Sequence, residues 1–226
     1  MSVSFAVFAS EQQIHIKAWA FEVPKGTVAD FDNILNSTNS AGDMFTGILN
    51  YTNASIVLQS LRSRKGVEEL GEPEATTASG RQTQLRTIIL DVIAGISEKN
   101  HVSGSNSNAP EMTTHTGLVM DVIPYVLSDG YTITMNIFPW LTQSHNEPSG
   151  EHFAKVNLWD GQTVVCSGVE TNFVDNVNAL AGRPNDRELL VFITATIVDS
   201  AGNRIYSDDE MPFAKNGAPQ QPPQPK

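Results

Sequence analysis

The sequence predicts a mainly β protein with a small α+β part at its N-terminal end. Segments in which apolar and polar residues alternate recur along most of the chain, and this period of two is typical of strands with one buried face. Helix signals are confined to two early segments, 28–36 and 52–64. Glycine and proline fall between the alternating segments. Together these observations favour antiparallel β-structure for most of the chain.

The predicted α+β part begins with a strand. Residues 13–23, QIHIKAWAFEV, alternate and give that strand two usable faces. A short strand at 44–49 leads to the helix. The side chain of Thr52 or Asn53 can cap this helix by accepting hydrogen bonds from its free N–H groups. A further short strand is predicted at 67–70, after the helix.

The β-rich part opens with a strand at 83–94, and the polar segment 97–116 that follows is expected to form a long loop or a mobile hairpin. A strand at 117–126 and its partner at 131–141 form a hairpin around the Ser128-Asp129-Gly130 turn. Alternation gives the partner strand an apolar face and a mostly polar face. The apolar face holds Ile133, Met135 and Ile137, and the other holds Thr132, Thr134, Asn136 and Phe138.

A second hairpin is predicted around Asp160-Gly161, because this dipeptide favours tight turns between strands. Its strands are 154–159 and 163–167. An apolar β segment at 188–198 follows, and residues 199–206 turn and pair back on it.

We therefore expect three parts along the chain. Residues 1–75 are the small α+β part, residues 76–206 are the antiparallel β core, and residues 207–226 are a proline-rich tail. No repeat of fixed period is visible within these parts.

The charge balance argues against nucleic acid as a partner. The chain has 14 Lys and Arg against 25 Asp and Glu, a formal net charge of −11, and no basic stripe that could neutralise phosphates. Charged residues make up only 17%, which suits a protein that buries surface against copies of itself. No apolar segment has the length of a membrane helix, and no signal peptide starts the chain, so an exported protein would need a leader ahead of it.

Residue patterns typical of catalysis are missing, and we expect neither an enzyme nor a cofactor. His145, Glu147, Glu151 and His152 share one polar loop, but their spacing matches no standard zinc pattern. Cys166, the single cysteine, lies in an apolar β segment where a small buried thiol is the common outcome. A hydrolase that uses Cys166 or the 145–152 loop is therefore the hypothesis about function that the sequence supports least.

Two further patterns bear on a membrane role. The segments 83–92 and 117–126 have about the length of ~9–11 residues that a tilted transmembrane strand needs. Trp19, Trp140 and Trp159 are candidates for a position at a membrane interface, with core or subunit-contact positions as the alternative.

Five motifs occur in a fixed order along residues 12–198. The first two are the strand 13–23 and the helix with Leu58 and Leu61 followed by Pro73. Residues 116–130 then combine a glycine, an alternating strand that ends in V-x-P, and an Asp-Gly turn, and two strand motifs close the series. The motif residues in the last three are Gly117, Val122, Pro124, Asp129, Gly130, Asp160, Gly161, Gln162, Thr163, Gly168, Glu188 and Thr194.

In this order the motifs resemble the secretin domain of bacterial outer-membrane channels, which serve type II and type III secretion and type IV pili. The resemblance implies a secretin-type antiparallel sheet that contributes to a multimeric β-barrel. It implies as partners identical copies in a ring, outer-membrane lipid, secretion or pilus machinery proteins and a pilotin. It places the chain in the bacterial outer membrane if a leader precedes it.

The chain departs from the secretin pattern at several positions, as a divergent member or a C-terminal fragment would. Ala195 replaces a proline, Ser167 replaces a glycine, and the connection 170–187 lacks the gate segment of the family. The departures keep an alternative open, a soluble β-rich binding or scaffold module that has the secretin-like fold but forms no pore.

Overall fold

The structure is a computed structural model that describes residues 12–31, 45–94, 112–142, 153–167, 187–207 and 210. It is mainly β, with antiparallel sheets, as predicted. The strands are β1 Gln13–Pro24, β2 Phe45–Leu49, β3 Glu68–Gly71, β4 Glu74–Ala78, β5 Thr83–Ala94, β6 Met112–Val126, β7 Thr132–Thr142, β8 Ala154–Trp159, β9 Thr163–Ser167 and β10 Arg187–Val198. The helix α1 is Tyr51–Ser63, and a 3-10 helix spans Thr27–Phe31.

Sheet A is six-stranded, with the order β2-β9-β10-β1 and with β3 and β4 both paired to the far side of β1. Strand β1 pairs with β10 along its whole length, from Gln13–Val198 to Pro24–Arg187. Strands from the predicted α+β part and from the predicted β core therefore share one sheet.

Sheet B is four-stranded, with the order β5-β6-β7-β8, and every neighbouring pair is antiparallel. The predicted hairpin of 117–126 with 131–141 is confirmed as β6 and β7. Strand β6 begins at Met112, within the segment 97–116 that was predicted to be a long loop or a mobile hairpin, and its residues 112–116 pair with β5. The remainder of that segment, 97–111, lies outside the described residues.

The core lies between the two sheets, which pack face to face. Alternate residues of the strands point into it, as the alternation of the sequence predicts. The buried side chains of sheet A that form this core are Ile14, Ile16, Ala18, Ala20, Ile48, Val164, Cys166, Leu189, Val191, Ile193, Ala195 and Ile197. Those of sheet B are Leu85, Leu118, Met120, Val122, Ile133, Met135, Ile137, Ala154, Val156 and Leu158.

Helix α1 covers part of the outer face of sheet A. Its apolar side packs on the outward side chains of four strands, with the 3-10 helix beside it. This second cluster contains Phe21, Val23, Leu49, Ala54, Val57, Leu58, Leu61, Val165, Leu190 and Phe192. Asn50 caps the helix by accepting the Asn53 N–H at 2.8 Å. The prediction of Thr52 or Asn53 as the cap was wrong, because the helix starts directly after β2.

The turns at 79–82, 127–131, 160–162 and 199–203 lie at one end of the two sheets, which we call the turn end. At the opposite end, Arg187 forms a buried ion pair with Glu22 and donates to the Glu22 carbonyl at 2.9 Å. In the part of the chain that the structure describes, no helix is long and apolar enough to cross a membrane.

Candidate functional site

Most of the predicted motif residues meet at the turn end. The Asp160 N–H donates to the Tyr131 carbonyl at 2.9 Å, which joins the 160–162 turn to the 127–131 turn. The Gly161 N–H donates to the Ala195 carbonyl of β10 at 2.8 Å. We call this group the turn cluster: Asp129, Gly130, Asp160, Gly161, Gln162, Thr163, Thr194 and Arg204.

Asp129 organises the turn between β6 and β7. Its carboxylate accepts the N–H groups of Tyr131 and Thr132 at 3.1 and 2.9 Å and the Thr132 hydroxyl at 2.5 Å. Partial burial acts to raise the pKa of the Asp129 carboxyl, but these hydrogen bonds, from Thr132 above all, outweigh it and hold the pKa below its usual value. The next residue, Gly130, has a φ of 83°, which favours glycine at this point of the turn.

Asp160 occupies the centre of the turn cluster, and its side chain has no exposed surface. One carboxylate oxygen accepts the Ile197 N–H at 2.5 Å, and the other accepts Arg204 Nε at 3.0 Å. A second guanidinium nitrogen of Arg204 reaches the Asp160 carbonyl at 3.4 Å. The pair thus joins the end of β8 to β10 and to the segment that follows β10.

Gly161 and Gln162 allow the chain to turn beneath Arg204. Gly161 has a φ of 80°, and a Cβ at this position would lie 2.7 Å from an Arg204 guanidinium nitrogen, so a larger residue would displace the pair. The Gln162 side-chain carbonyl accepts the Trp159 N–H at 2.9 Å. The Gln162 backbone N–H returns to the Trp159 carbonyl at 3.0 Å.

Thr163 and Thr194 extend the cluster onto sheet A. They are directly opposite each other on β9 and β10, and their hydroxyl oxygens lie 2.6 Å apart. This contact holds the start of β9 on β10, next to the point where the chain leaves sheet B.

The predicted hairpin of 154–159 with 163–167 was wrong in its pairing. The tight Asp160-Gly161 turn is present, but β8 pairs with β7 in sheet B, whereas β9 pairs with β10 and β2 in sheet A. The turn carries the chain from one sheet to the other. A dipeptide favours the local turn, but the apolar faces of both strands select their partners by burial across the core.

The other motif residues lie outside the turn cluster. Val122 belongs to the core, and the Pro124 carbonyl accepts the Gly80 N–H at 2.7 Å beside the cluster. Gly117 is buried in β6, farther from the turn end. Glu188 lies at the opposite end, where its carboxylate accepts the Gly26 N–H at 3.1 Å. Gly168 lies outside the described residues.

The residues with possible chemistry divide into two groups. Cys166 is buried in the core, where burial raises the pKa of its thiol to about 12, so the thiol is protonated and shielded at neutral pH. The loop residues His145, Glu147, Glu151 and His152 lie outside the described residues. Within the described ranges, no three His, Cys, Asp or Glu side chains are grouped as metal ligands would be.

Of the three tryptophans proposed for a membrane interface or, alternatively, for the core or a subunit contact, Trp159 is buried, and the side chain of Trp140 lies outside the described residues. Trp159 is only 8% exposed, and Trp19 lies half-buried beneath the Lys17 ammonium at 5.2 Å. Phe138 is instead 39% exposed and stacks on Phe153, with ring centroids 5.6 Å apart. The sequence offered one signal for this pair, the apolar Phe138 on an otherwise polar strand face.

Sheet B is strongly staggered. Thr83 pairs with Val122, Val122 with Ile137, and Ile137 with Ala154. Among the described residues, these four are the only set of directly paired residues that extends across all four strands. The rest of β8 lies closer to the turn end, and the rest of β5 lies farther from the turn end. The β5–β6 ribbon continues past the last β6–β7 pair, from Leu90–Thr116 to Ala94–Met112.

The first half of β5 is attached to sheet A. The Thr87 hydroxyl donates to the Leu70 carbonyl at 2.8 Å, and a Cβ at Gly71 would lie 2.4 Å from the Thr87 hydroxyl oxygen. At the turn end, the Val126 N–H donates to the Ser79 hydroxyl at 2.9 Å, close to the start of β5. Thr87 therefore fixes the middle of β5 against the end of β3.

A comparison with models of known protein families found no match for this chain, and a search of curated proteins found none either.

Proposed function

We propose that the chain is a subunit of a homo-oligomeric outer-membrane channel of the secretin type, through which secreted proteins or a pilus pass. The observation that carries this proposal is the stagger of sheet B. Strands in a closed barrel tilt against its axis, and their register shifts from one strand to the next. A stagger between the strands is therefore one of the requirements for closing sheet B with its copies into a ring.

The number of strands in sheet B favours joining to identical copies. Its four strands alternate in direction, so the outer strands β5 and β8 run antiparallel to each other. If β8 of one copy lies beside β5 of the next, the sheet stays antiparallel and all copies keep the same orientation. A head-to-tail contact of this kind generates a closed ring when the rotation between copies allows it.

Sheet A is less suited to this role. Its outer strands, β2 on one side and β3 with β4 on the other, run in the same direction, so a junction between copies would be parallel. The β3–β4 edge is interrupted by Pro73 and has exposed Glu69 and Glu72. Prolines and charges on an edge strand oppose pairing with another chain.

In the proposed ring, the edge of β5 that does not pair with β6 supplies a surface for the neighbouring copy. Strand β8 is short, and within the described residues it pairs with β7 alone. Residues 88–94 of β5 and the strand β8 have comparable lengths. The second half of β5 in one copy can therefore pair with the whole of β8 in the next copy. Unpaired edge groups in a membrane are costly, which favours closure of the ring.

Nothing in this proposed role requires covalent chemistry. The protein forms a gated opening, and we propose outer-membrane lipid, secretion or pilus machinery proteins and a pilotin as its further partners. The motif residues of the turn cluster have a structural role in it, because they fix the crossing between sheets A and B.

A soluble β-rich binding module remains a second candidate function, and a specific observation favours it. The apolar faces of both sheets are buried against each other within a single chain. A module that has satisfied its apolar surface in this way can be stable as a monomer.

The experiment that separates the two is the assembly state of the full chain. We expect ring-shaped particles by electron microscopy after expression with an export leader and extraction of the membranes in mild detergent. Liposomes that contain the particles should conduct ions. A uniformly monomeric protein in detergent-free buffer that does not associate with liposomes would refute the channel and support the soluble module.

A further inference from the structure

The outward face of sheet B, which points away from sheet A, has a polar or charged side chain in every described row. Thr134 and Asn157 lie opposite each other on β7 and β8, and the Thr134 hydroxyl donates to the Asn157 side-chain carbonyl at 2.6 Å. One outward row farther from the turn end, Asn136 is opposite Lys155. All four side chains are half-buried, so this part of the face is accessible to water.

The polar rows continue across β6 and β5. The Asp121 carboxylate accepts the side-chain amides of Gln82 and Gln84 at 2.5 and 2.9 Å. Arg86 Nε donates to the Gln84 side-chain carbonyl at 2.5 Å. Phe138 is opposite Asp121, so this exposed ring lies within a polar row. The face therefore suits contact with water in all of its described rows.

Cations are in the majority among the charged side chains on the described rows of this face. Arg86 contacts a neutral amide, Lys155 lies opposite a neutral asparagine, and Asp121 is the acidic residue. The outer side of sheet A differs, because its charges form pairs of opposite sign, as Lys17 does with Glu72 at 3.2 Å. In a chain with a net charge of −11, this face of sheet B is thus a locally cationic surface.

The two sheets differ in width. Sheet A is five strand positions across, because β3 and β4 follow one another along the same side of β1, and sheet B is four across. The turn 160–162 sets β9 over β8, and the Thr87 hydroxyl, which donates to the Leu70 carbonyl, sets β3 over β5. Strand β2 therefore has no counterpart in the described part of sheet B. Each copy is wider by one strand in the layer of sheet A.

We propose that sheet B is the inner layer of the ring, that its outward face lines the passage, and that Arg86 and Lys155 set the ion selectivity there. This inference rests on the proposed function and on the difference in width, because the narrower layer of each copy fits the smaller circumference. Facing sheets lie ~10 Å apart, so the circumferences of the two layers differ by ~60 Å. A strand tilted by ~40° occupies ~6 Å of circumference, so a surplus of one strand per copy fits a ring of about ten copies.

Charges that line a passage of this size act only where salt does not screen them. About ten copies of four strands give an inner circumference of ~240 Å and a radius of ~40 Å. The Debye length is ~30 Å at 0.01 M salt and ~3 Å at 1 M salt. The cationic side chains therefore enrich anions across much of the passage at low salt, and only in a thin layer along the wall at high salt.

Electron micrographs test the width argument. Rotational averages of the particles count the copies in each ring, and we expect about ten. A ring of more than ~20 copies would require layers that differ by about half a strand per copy, and it would overturn the assignment of sheet B to the inner layer.

The test of the lining compares the same charge reversal on the two sides of the wall. Lys155→Glu changes the proposed lining, and Lys65→Glu changes an exposed lysine just after α1, on the outer side of sheet A. Rings of the full chain are placed in planar bilayers of zwitterionic phospholipid, and the reversal potential in a KCl gradient gives the anion-to-cation permeability ratio. At ~0.01 M KCl we expect Lys155→Glu to lower this ratio about twofold and Lys65→Glu to leave it unchanged. At ~1 M KCl the difference should disappear.

Arg86→Glu is a second reversal on the same face, in case the first one disturbs assembly. A lowered ratio in either variant, together with an unchanged ratio in Lys65→Glu, supports the inference. Conducting rings in which neither Lys155→Glu nor Arg86→Glu alters the ratio overturn the lining by sheet B but leave the channel in place, and a change in Lys65→Glu would then assign sheet A to the passage. Absence of rings together with absence of conductance overturns both.

Discussion

Among single residues, Asp160 and Arg204 dominate the turn end, since a carboxylate without exposed surface has a guanidinium and a backbone N–H as partners. Arg204→Ala would leave this buried charge with one fewer partner. We expect the free energy of unfolding to fall by about 2 kcal/mol, less than for a fully buried pair because Arg204 is partly exposed. Urea denaturation followed by circular dichroism measures the change.

Arg86 is the matched control, because it lies on the exposed face of sheet B, where its guanidinium donates to the Gln84 side chain at 2.5 Å. Arg86→Ala should change the free energy of unfolding by less than about 0.5 kcal/mol. Equal effects of the two substitutions would show that the buried pair at Asp160 contributes nothing special to stability.

Asp129 gives the turn end a pH dependence. Its pKa in the folded chain is below the usual 3.8, so its hydrogen bonds contribute stability that is present above pH 3.8 and is lost as the pH falls through the lower folded value. Asparagine carries no charge, so Asp129→Asn lacks the stronger hydrogen bonds of the carboxylate at every pH. The unsubstituted chain loses them only when the Asp129 carboxylate becomes protonated in acid. We therefore expect the variant to be less stable at pH 7, by about 1 kcal/mol or less, and the difference to disappear in strong acid.

Urea titrations of both proteins between neutral and strongly acidic pH measure this difference. Asp199 also has a lowered pKa, mainly because its carboxylate accepts the Asn203 N–H, but it is present in both proteins and cancels in the comparison. A stability difference that stays constant down to the lowest pH would contradict the assignment to the Asp129 carboxylate.

At the scale of elements, the sequence predicted where strands form better than it predicted which strands pair with each other. The alternation in β7 placed Ile133, Met135 and Ile137 on one face, and all three are buried in the core. Thr132 departs from the pattern and is buried, because its hydroxyl is directed to Asp129. The partners of β8 and β9 could not be read from the Asp160-Gly161 turn, since pairing depends on strands distant in sequence.

The seam between β3 and β5 was not visible in the sequence, because it depends on a close approach of Gly71 and Thr87. Gly71→Ala would place a methyl group 2.4 Å from the Thr87 hydroxyl oxygen and disturb its bond to the Leu70 carbonyl. We expect a loss of about 1–3 kcal/mol in the free energy of unfolding, typical of overpacking. In a Thr87→Ala background the same substitution should cost less, because the 2.4 Å contact is gone and only the contact of 3.2 Å with the Cβ of residue 87 remains.

The double-mutant cycle built from these variants measures the coupling between the two elements. Additive effects of Gly71→Ala and Thr87→Ala would mean that the sheets are not in contact at this point. The unfolding transitions can be followed for all four proteins under one set of conditions.

For the whole molecule, composition and alternation were sufficient to predict a mainly β chain, and the hairpin of β6 and β7 followed from its turn residues. The division of the strands between two facing sheets could not be predicted in this way. Strand β1 pairs with β10 near the other end of the chain, and this pairing is set by burial of Ile14 and Ile16 against sheet B and not by any local signal. The role of Arg204 was missed for the same reason.

The proposed ring leads to a prediction about covalent trapping. Lys155→Cys in β8 is combined with cysteine at one of four successive positions in β5: Leu90, Asp91, Val92 or Ile93. Within one chain these strands are separated by two others, ~14 Å across, and a disulfide spans only ~7 Å between Cα atoms. Any disulfide between β5 and β8 must therefore join two copies.

We expect at least one of the four combinations to give a ladder of disulfide-linked oligomers on denaturing gels after mild oxidation of the membranes. The ladder should collapse to monomer on reduction. Lys155→Cys alone, whose only other thiol is the buried Cys166, should give no species larger than a dimer. If rings are visible by electron microscopy but all four combinations remain monomeric, β8 and β5 are not neighbours in the ring, and the wall must be joined through other strands.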